Sequence, residues 1–345
     1  MEVKDISELE LKRMIGKMLI FGFDSLNINQ YDDIYSYISE YNLGGIILFD
    51  KFYHDRDKAK NIQNPAQLKK LTTQLQNISK DKLLISIDQE GGRIARLKVK
   101  DGFNSTISAK DLVGLGKQKA KQSYLSLSQE LQDLGVNCNF APLVDLGLNK
   151  DSEVIYKLDR SYGEKVDTVT EFAEIFMDEL DAHKVISCLK HFPGHGSALG
   201  DSHEGFVDAS NIWSEMELEP YKNLLPKTKM IMTAHVFNKN IDDKYPATLS
   251  YKTNTSLLRK KLGYNGVILS DDLQMKAIES HYSKQEAIKL SINSGIDMIM
   301  YCNQLSNDDV LEIINLTYEL VQNGEIKISR IEESNKRINK LLGWL

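Results

Sequence analysis

The residues able to do chemistry are unevenly spread. The densest group is Lys190-His191-Phe192-Pro193-Gly194-His195-Gly196, with Asp201-Ser202-His203 just beyond. Three of the seven histidines fall within 13 positions. The proline and the glycines fix an irregular loop rather than a helix. Two chemistries suit such a cluster. His191, His195 and His203 could ligate zinc through nitrogen. Against zinc, the i, i+4 pair sits on a Pro-Gly loop without a helical face to bring it together, and Lys190 would place a cation beside the metal. Proton transfer fits better. Asp201 bonded to one ring nitrogen of His203 would fix the tautomer and raise its basicity, leaving the other nitrogen to move a proton near neutral pH. No metal and no cofactor are expected.

Two further groups end short apolar runs. Ile85-Ser86-Ile87 leads into Asp88-Gln89-Glu90-Gly91-Gly92-Arg93, with Arg96 close behind. A carboxylate, a Gly-Gly turn and two arginines would make a polar wall. Asp88 either caps the turn and pairs with an arginine, or accepts hydrogen bonds from sugar hydroxyls. Gly266-Val267-Ile268-Leu269-Ser270 leads into Asp271-Asp272. Neighbouring side chains diverge at a strand end, so one of the two is expected in a pocket. Either both cap the next helix, or Asp271 is an ionised nucleophile. Arg160-Ser161-Tyr162-Gly163 offers another fork-shaped donor. His235 ends the run 230–235 and reads as a core or supporting residue, while His54 and His183 read as surface residues.

The elements that must position these groups follow a rhythm. Short apolar segments at 18–23, 45–49, 83–88, 136–142, 185–191, 230–235, 266–271 and 296–301 alternate with longer amphipathic ones, the pattern of buried parallel strands between helices. Asn64-Pro65 is a cap with a first-turn proline and opens a helix to about Asn77. Val169, Phe172, Phe176 and Leu180 recur at helical spacing. Ser283 to Glu286 reads as a capping box, for a helix that stops near Gly295. Eight strand–helix units predict an α/β chain closed into a single (β/α)8 barrel over residues 1–345. An open doubly wound sheet is the rival, weakened by the lack of a Gly-x-Gly-x-x-Gly turn after an early strand. In such a barrel the active residues come from the C-terminal strand ends.

Composition narrows the partners. The net charge of −6 argues against nucleic acid or an anionic membrane as the main partner. Apolar content of 41% suffices for a large core. Cys138, Cys188 and Cys302 are too few and too scattered for a metal site and read as buried thiols. No apolar run is long enough to span a membrane. Met1 to Ile15 is charged and lacks a signal-peptide apolar stretch, which favours the cytoplasm unless an export leader was removed.

The same residues resemble glycoside hydrolase family 3, in particular its single-domain bacterial β-N-acetylglucosaminidase branch, over about residues 10 to 340. The resemblance is carried by 15–19, Asp88 to Arg93, Asn139-Phe140-Ala141-Pro142, Arg160 to Gly163, Lys190 to Gly196, Asp201-Ser202-His203, Met232 to His235, 246–250 and Ser270 to Leu273. It implies that Asp271 is the nucleophile, that Asp201 and His203 form the general acid/base dyad, and that Asp88, Arg96, Arg160, Lys190 and His191 hold the sugar's hydroxyls. It also implies a carbohydrate substrate bearing N-acetylglucosamine, a muropeptide or chitooligosaccharide; a monomer is expected. Phosphorolysis and a β-glucosidase activity are the nearest alternatives. A metal-dependent barrel hydrolase and a non-catalytic sugar-binding barrel stand further off. The chain departs from the family in three places. Ser197-Ala198 stands where Asp-Thr is usual, Tyr162 replaces the usual Phe, and 147–157 lacks the common Asn-Pro turns.

Overall fold

A computed structural model of the chain describes residues 6–200 and 205–345. Eight parallel strands close into a barrel. We number them β1 Leu19–Phe21, β2 Gly45–Leu48, β3 Leu84–Ile87, β4 Cys138–Asn139, β5 Ile186–Phe192, β6 Met230–Thr233, β7 Val267–Asp272 and β8 Met298–Tyr301. Each pairs with its sequence neighbours, and β1 closes on β8 through Leu19↔Ile299 and Phe21↔Tyr301. Every apolar run in the sequence therefore becomes a barrel strand, and the open-sheet rival is excluded. The strands are buried along nearly their whole length, which is why they read as continuous apolar runs rather than as alternation.

The helices close around this core for legible reasons. Asn64 Oδ1 accepts from Gln67 N at 2.9 Å, with Pro65 at the first turn, and the helix runs Pro65–Ile78. In Val166–Ala182, Val169, Phe172, Phe176 and Leu180 are all buried; each such side chain contributes about 1.5–3 kcal/mol of burial. Ser283 Oγ accepts from Glu286 N, and Lys284–Ser294 ends on Gly295 at φ 113°, a conformation open to glycine. The alternation is least regular after β6, where a π-helix, Lys252–Lys261, occupies the connection.

The N-terminal side of the barrel is tied by one buried carboxylate. Asp297, just before β8, is fully buried and pairs with Arg259, with Arg330 at 2.8 Å and with Arg337 at 3.1 Å. It also accepts from Ile268 N at 3.1 Å, linking β8 to β7. The opposite, C-terminal side opens instead onto a cavity. It is the end at which Asp88, Lys190 and Asp271 emerge.

Candidate active site

Seven of the eight strand ends and the loops after them line one cavity of about 260 Å3. Its inner wall holds Asp88, Arg96, Arg160, Lys190, His191, His195, Asp271 and Asp272. Phe49, Lys51, Tyr53 and Arg56 follow β2, while Gln304 and Leu305 follow β8. The structure thus brings six predicted site residues into one place: Asp88, Arg96, Arg160, Lys190, His191 and Asp271. Asp201 and His203 lie outside the described residues.

The turn after β3 is held by amides rather than by its acids. Asn139 at the end of β4 accepts from Gln89 N and donates to Gln89 O, both at 3.0 Å. Gln89 Oε1 accepts from Arg96 N at 2.7 Å and Leu97 N at 3.0 Å, so Gln89 fixes Arg96 relative to Asp88. Gly91, at φ 109°, is needed because a Cβ there would sit 2.2 Å from the Ile107 carbonyl oxygen. Of the two expected arginines only Arg96 lines the cavity. Arg93 is exposed and donates to the Lys157 carbonyl at 3.3 Å, because the Gly-Gly turn carries it outward.

A buried ion network forms the cavity floor. Lys190 Nζ lies 2.8 Å from Asp88 and 2.7 Å from Glu90. Arg160 forks onto Glu90 at 2.8 and 2.7 Å through Nε and Nη2, and its Nη1 donates to the Val154 carbonyl at 2.8 Å. Arg96 reaches Asp88 at 3.5 Å and stacks over the Phe49 ring. Burial alone would raise both acids, but Lys190 and Arg96 outweigh it for Asp88, and Arg160 and Lys190 outweigh it for Glu90. Both stay well ionised, and Lys190 is held charged in return. The fork of Arg160 is therefore engaged by Glu90, a partner that the sequence reading left without a role.

Asp145, also unforeseen, organises the histidines. It is buried and accepts from His191 Nδ1 at 2.8 Å, from His191 N, and from His195 N at 2.9 Å. Burial works against its charge, but His191 prevails and holds the carboxyl below its usual range. The bond to Nδ1 sets the orientation of the His191 ring on the cavity wall. His195 lies 6.1 Å from His191, and burial holds it near pKa 4, so it is neutral at pH 7.

At the tip of β7 the two aspartates differ. Asp272 is buried and its Oδ1 accepts from Gln274 N at 3.1 Å and Cys302 N at 3.2 Å; burial raises it to about 7. Asp271 is less buried, and its Oδ1 accepts from Asp272 N at 2.8 Å. Both line the cavity, which corrects the expectation that only one would enter; Asp272 is the more buried of the two. His235 is buried beneath them and donates from Nε2 to the Asp272 carbonyl at 2.8 Å, the supporting place foreseen for it. His54 is exposed, and His183 is half-buried against the Glu179 carbonyl.

The departures from the family pattern have local partners. Tyr162 OH meets Tyr124 OH at 2.8 Å, so the extra hydroxyl is satisfied. Segment 147–157 supplies Val154 and Ile155 to the cavity wall. Ser197 Oγ donates to Glu217 Oε1 at 2.5 Å. All three cysteines are buried, and Cys302 also touches the cavity. Among the described residues, no group of His, Cys, Asp and Glu is arranged to hold a metal ion, and no helix is long and apolar enough to cross a membrane.

This geometry can bind a polyhydroxylated ring against charged donors and acceptors, with the Asp271 carboxylate among those on the wall. The chain is similar to several known proteins. Beta-hexosaminidase A of Pseudoalteromonas piscicida is 32% identical over 86% of this chain, which spans 54% of that protein. Beta-hexosaminidase of Glaesserella parasuis is 35% identical over 80% of the chain and 78% of that protein. The solved structure of a family 3 beta-N-acetylglucosaminidase from Paenibacillus sp. superposes with a TM-score of 0.87 at 32% identity, over 97% of this chain and 62% of that one. The chain thus spans little more than half the length of some relatives and most of others. The family model described as the glycosyl hydrolase family 3 N terminal domain matches residues 5–341, and with a closed barrel presenting these residues at its C-terminal end, the chain belongs to glycosyl hydrolase family 3.

Proposed function

We propose that this chain is a retaining, exo-acting β-N-acetylglucosaminidase. The observation that carries the reading is the placement of Asp271 at the tip of β7, in one cavity with Asp88, Arg96, Arg160, Lys190 and His191. The names of its relatives point the same way. The polar floor would grip the hydroxyls of a terminal sugar so that C1 lies over Asp271. His203, backed by Asp201, would protonate the glycosidic oxygen as the Asp271 carboxylate attacks C1. The C1–O bond breaks, the aglycone leaves as an alcohol, and an α-linked glycosyl ester forms. His203 then takes a proton from water as that water attacks C1, which frees Asp271 and releases the β-anomer.

The substrate in this reading is a terminal β-linked N-acetylglucosamine on a muropeptide or chitooligosaccharide, cleaved in the cytoplasm by a monomer whose residues 1–345 act as one catalytic barrel. The discriminating experiment compares an aryl β-N-acetylglucosaminide with the matching β-glucoside, each with and without phosphate. Faster release from the N-acetylglucosaminide, free sugar as product and no sugar 1-phosphate are expected. Preference for the glucoside, or sugar 1-phosphate as the product, would overturn the reading.

A further inference from the structure

The segment Pro193–Ala198, which places His195 on the cavity wall, is gripped from two sides. The loop after β4 holds one side: Asp145 accepts from His195 N at 2.9 Å, and Asn149 Nδ2 donates to the Ser197 carbonyl at 3.0 Å. The other side is held by residues outside the cavity lining. Trp213 Nε1 donates to the Pro193 carbonyl at 3.1 Å. Glu217, in the short 3-10 turn Glu215–Leu218, accepts from Gly196 N at 2.8 Å and from Ser197 Oγ at 2.5 Å.

Glu217 is unusual for an acid. It is 1% exposed, and no lysine or arginine is paired with it among the described residues. A buried carboxylate is costly unless its oxygens are well bonded. The chain also makes room for it: a Cβ at Gly194 would lie 2.6 Å from Glu217 Cβ, so only glycine allows this approach. Ala198, the next residue along, is fully buried in a small satellite core with Val207, Ala209, Ala234 and Val236, so the strand of chain that leaves the grip is anchored too.

We propose that Glu217 is a positioning residue for the reaction: its carboxylate clamps Gly196 and Ser197 and so sets where the His195 loop stands on the cavity wall. It acts through that loop, since it does not line the cavity itself. The inference rests on the proposed reading of the site, because the clamp matters to turnover only if this loop serves it. The chain continues from the clamp towards Asp201 and His203, so an altered clamp should be felt in the chemical steps more than in binding.

The test is charge complementation within the pair, read as kcat and KM on an aryl β-N-acetylglucosaminide together with thermal melting. Glu217→Ala should lower kcat at least tenfold with KM changed less than threefold. Ser197→Asp, which sets a second carboxylate against Glu217, should do the same. The double variant Ser197→Asp with Glu217→Gln reverses the donor and acceptor, because the glutamine amide can donate to the new aspartate while its oxygen still accepts from Gly196 N. It should recover kcat to within about threefold of the parent. Two outcomes overturn the proposal: Glu217→Ala melts lower but keeps kcat, or the double variant stays as slow as Ser197→Asp alone. Failure of the site reading is seen separately, in the parent protein, as absent hydrolysis of the N-acetylglucosaminide.

Discussion

Replacing Lys190 by methionine removes the ammonium that joins Asp88 and Glu90 but keeps most of the side chain's apolar volume. Two charge-assisted hydrogen bonds, at 2.8 and 2.7 Å, are lost from a site that is 3% exposed. Glu90 keeps Arg160, and Asp88 keeps only the longer contact to Arg96. The net cost of such a buried break is about 3–5 kcal/mol. For a chain of 345 residues the unfolding entropy near the midpoint converts this to a fall in Tm of about 4–7 °C. The loss should depend on pH. Lys190 helps hold Asp88 below its ordinary range, so its stabilisation is present above the unfolded value near 4 and is lost as pH falls through the lower folded value. Calorimetry of parent and variant at pH 7 and pH 3.5 should therefore show the gap narrow at the lower pH. KM for the aryl N-acetylglucosaminide should rise as well. A Tm shift below about 1 °C at pH 7, or a gap that does not narrow in acid, would refute the account of the cavity floor.

Other perturbations separate stability from chemistry. Asp145→Asn keeps the shape but removes the charge from the His191 ring bond; at about 1.5–3 kcal/mol for a hydrogen bond to a charged group, kcat/KM should fall roughly 10- to 150-fold, and an unchanged value would contradict the role given to Asp145. Asp297→Asn leaves Arg259, Arg330 and Arg337 facing one another on the far side of the barrel, so Tm should drop by about 4–7 °C while kcat at 25 °C stays within about twofold. Glu217 is raised by burial to about 7, so the folded protein holds a proton that the unfolded chain gives up near 4.5. Its contribution is fully present below pH 4.5 and is lost as pH rises through 7, a decline of up to about 3 kcal/mol that urea titration should find in the parent and find reduced in Glu217→Gln.

The barrel was legible because each strand is buried on both faces and so appears as an unbroken apolar run between capped helices. The least faithful run was 136–142, where only Cys138–Asn139 joins the ladder. The cavity residues were legible where an acid or base ends such a run, as at Asp88, Lys190 and Asp271. Glu90 was hidden because it stands three residues past its strand, and nothing local says that Arg160, 70 residues later, will meet it. Asp145 sits between Val144 and Leu146, an acid within an apolar stretch; that mismatch was the available signal. Glu217 lies in Glu215-Met216-Glu217-Leu218-Glu219, which reads as a solvated acidic face. Its burial depends on Gly194 and Ser197, contacts that only the folded chain reveals.

The central claim is that Asp271 forms a bond to the sugar. A slow fluorinated N-acetylglucosaminide that lets the intermediate accumulate, followed by digestion and mass spectrometry, tests this directly. The account predicts one adduct of the glycosyl group, on the peptide containing Asp271 and localised to that residue. An adduct on another residue, or full turnover of the probe with no adduct at any time point, would contradict it.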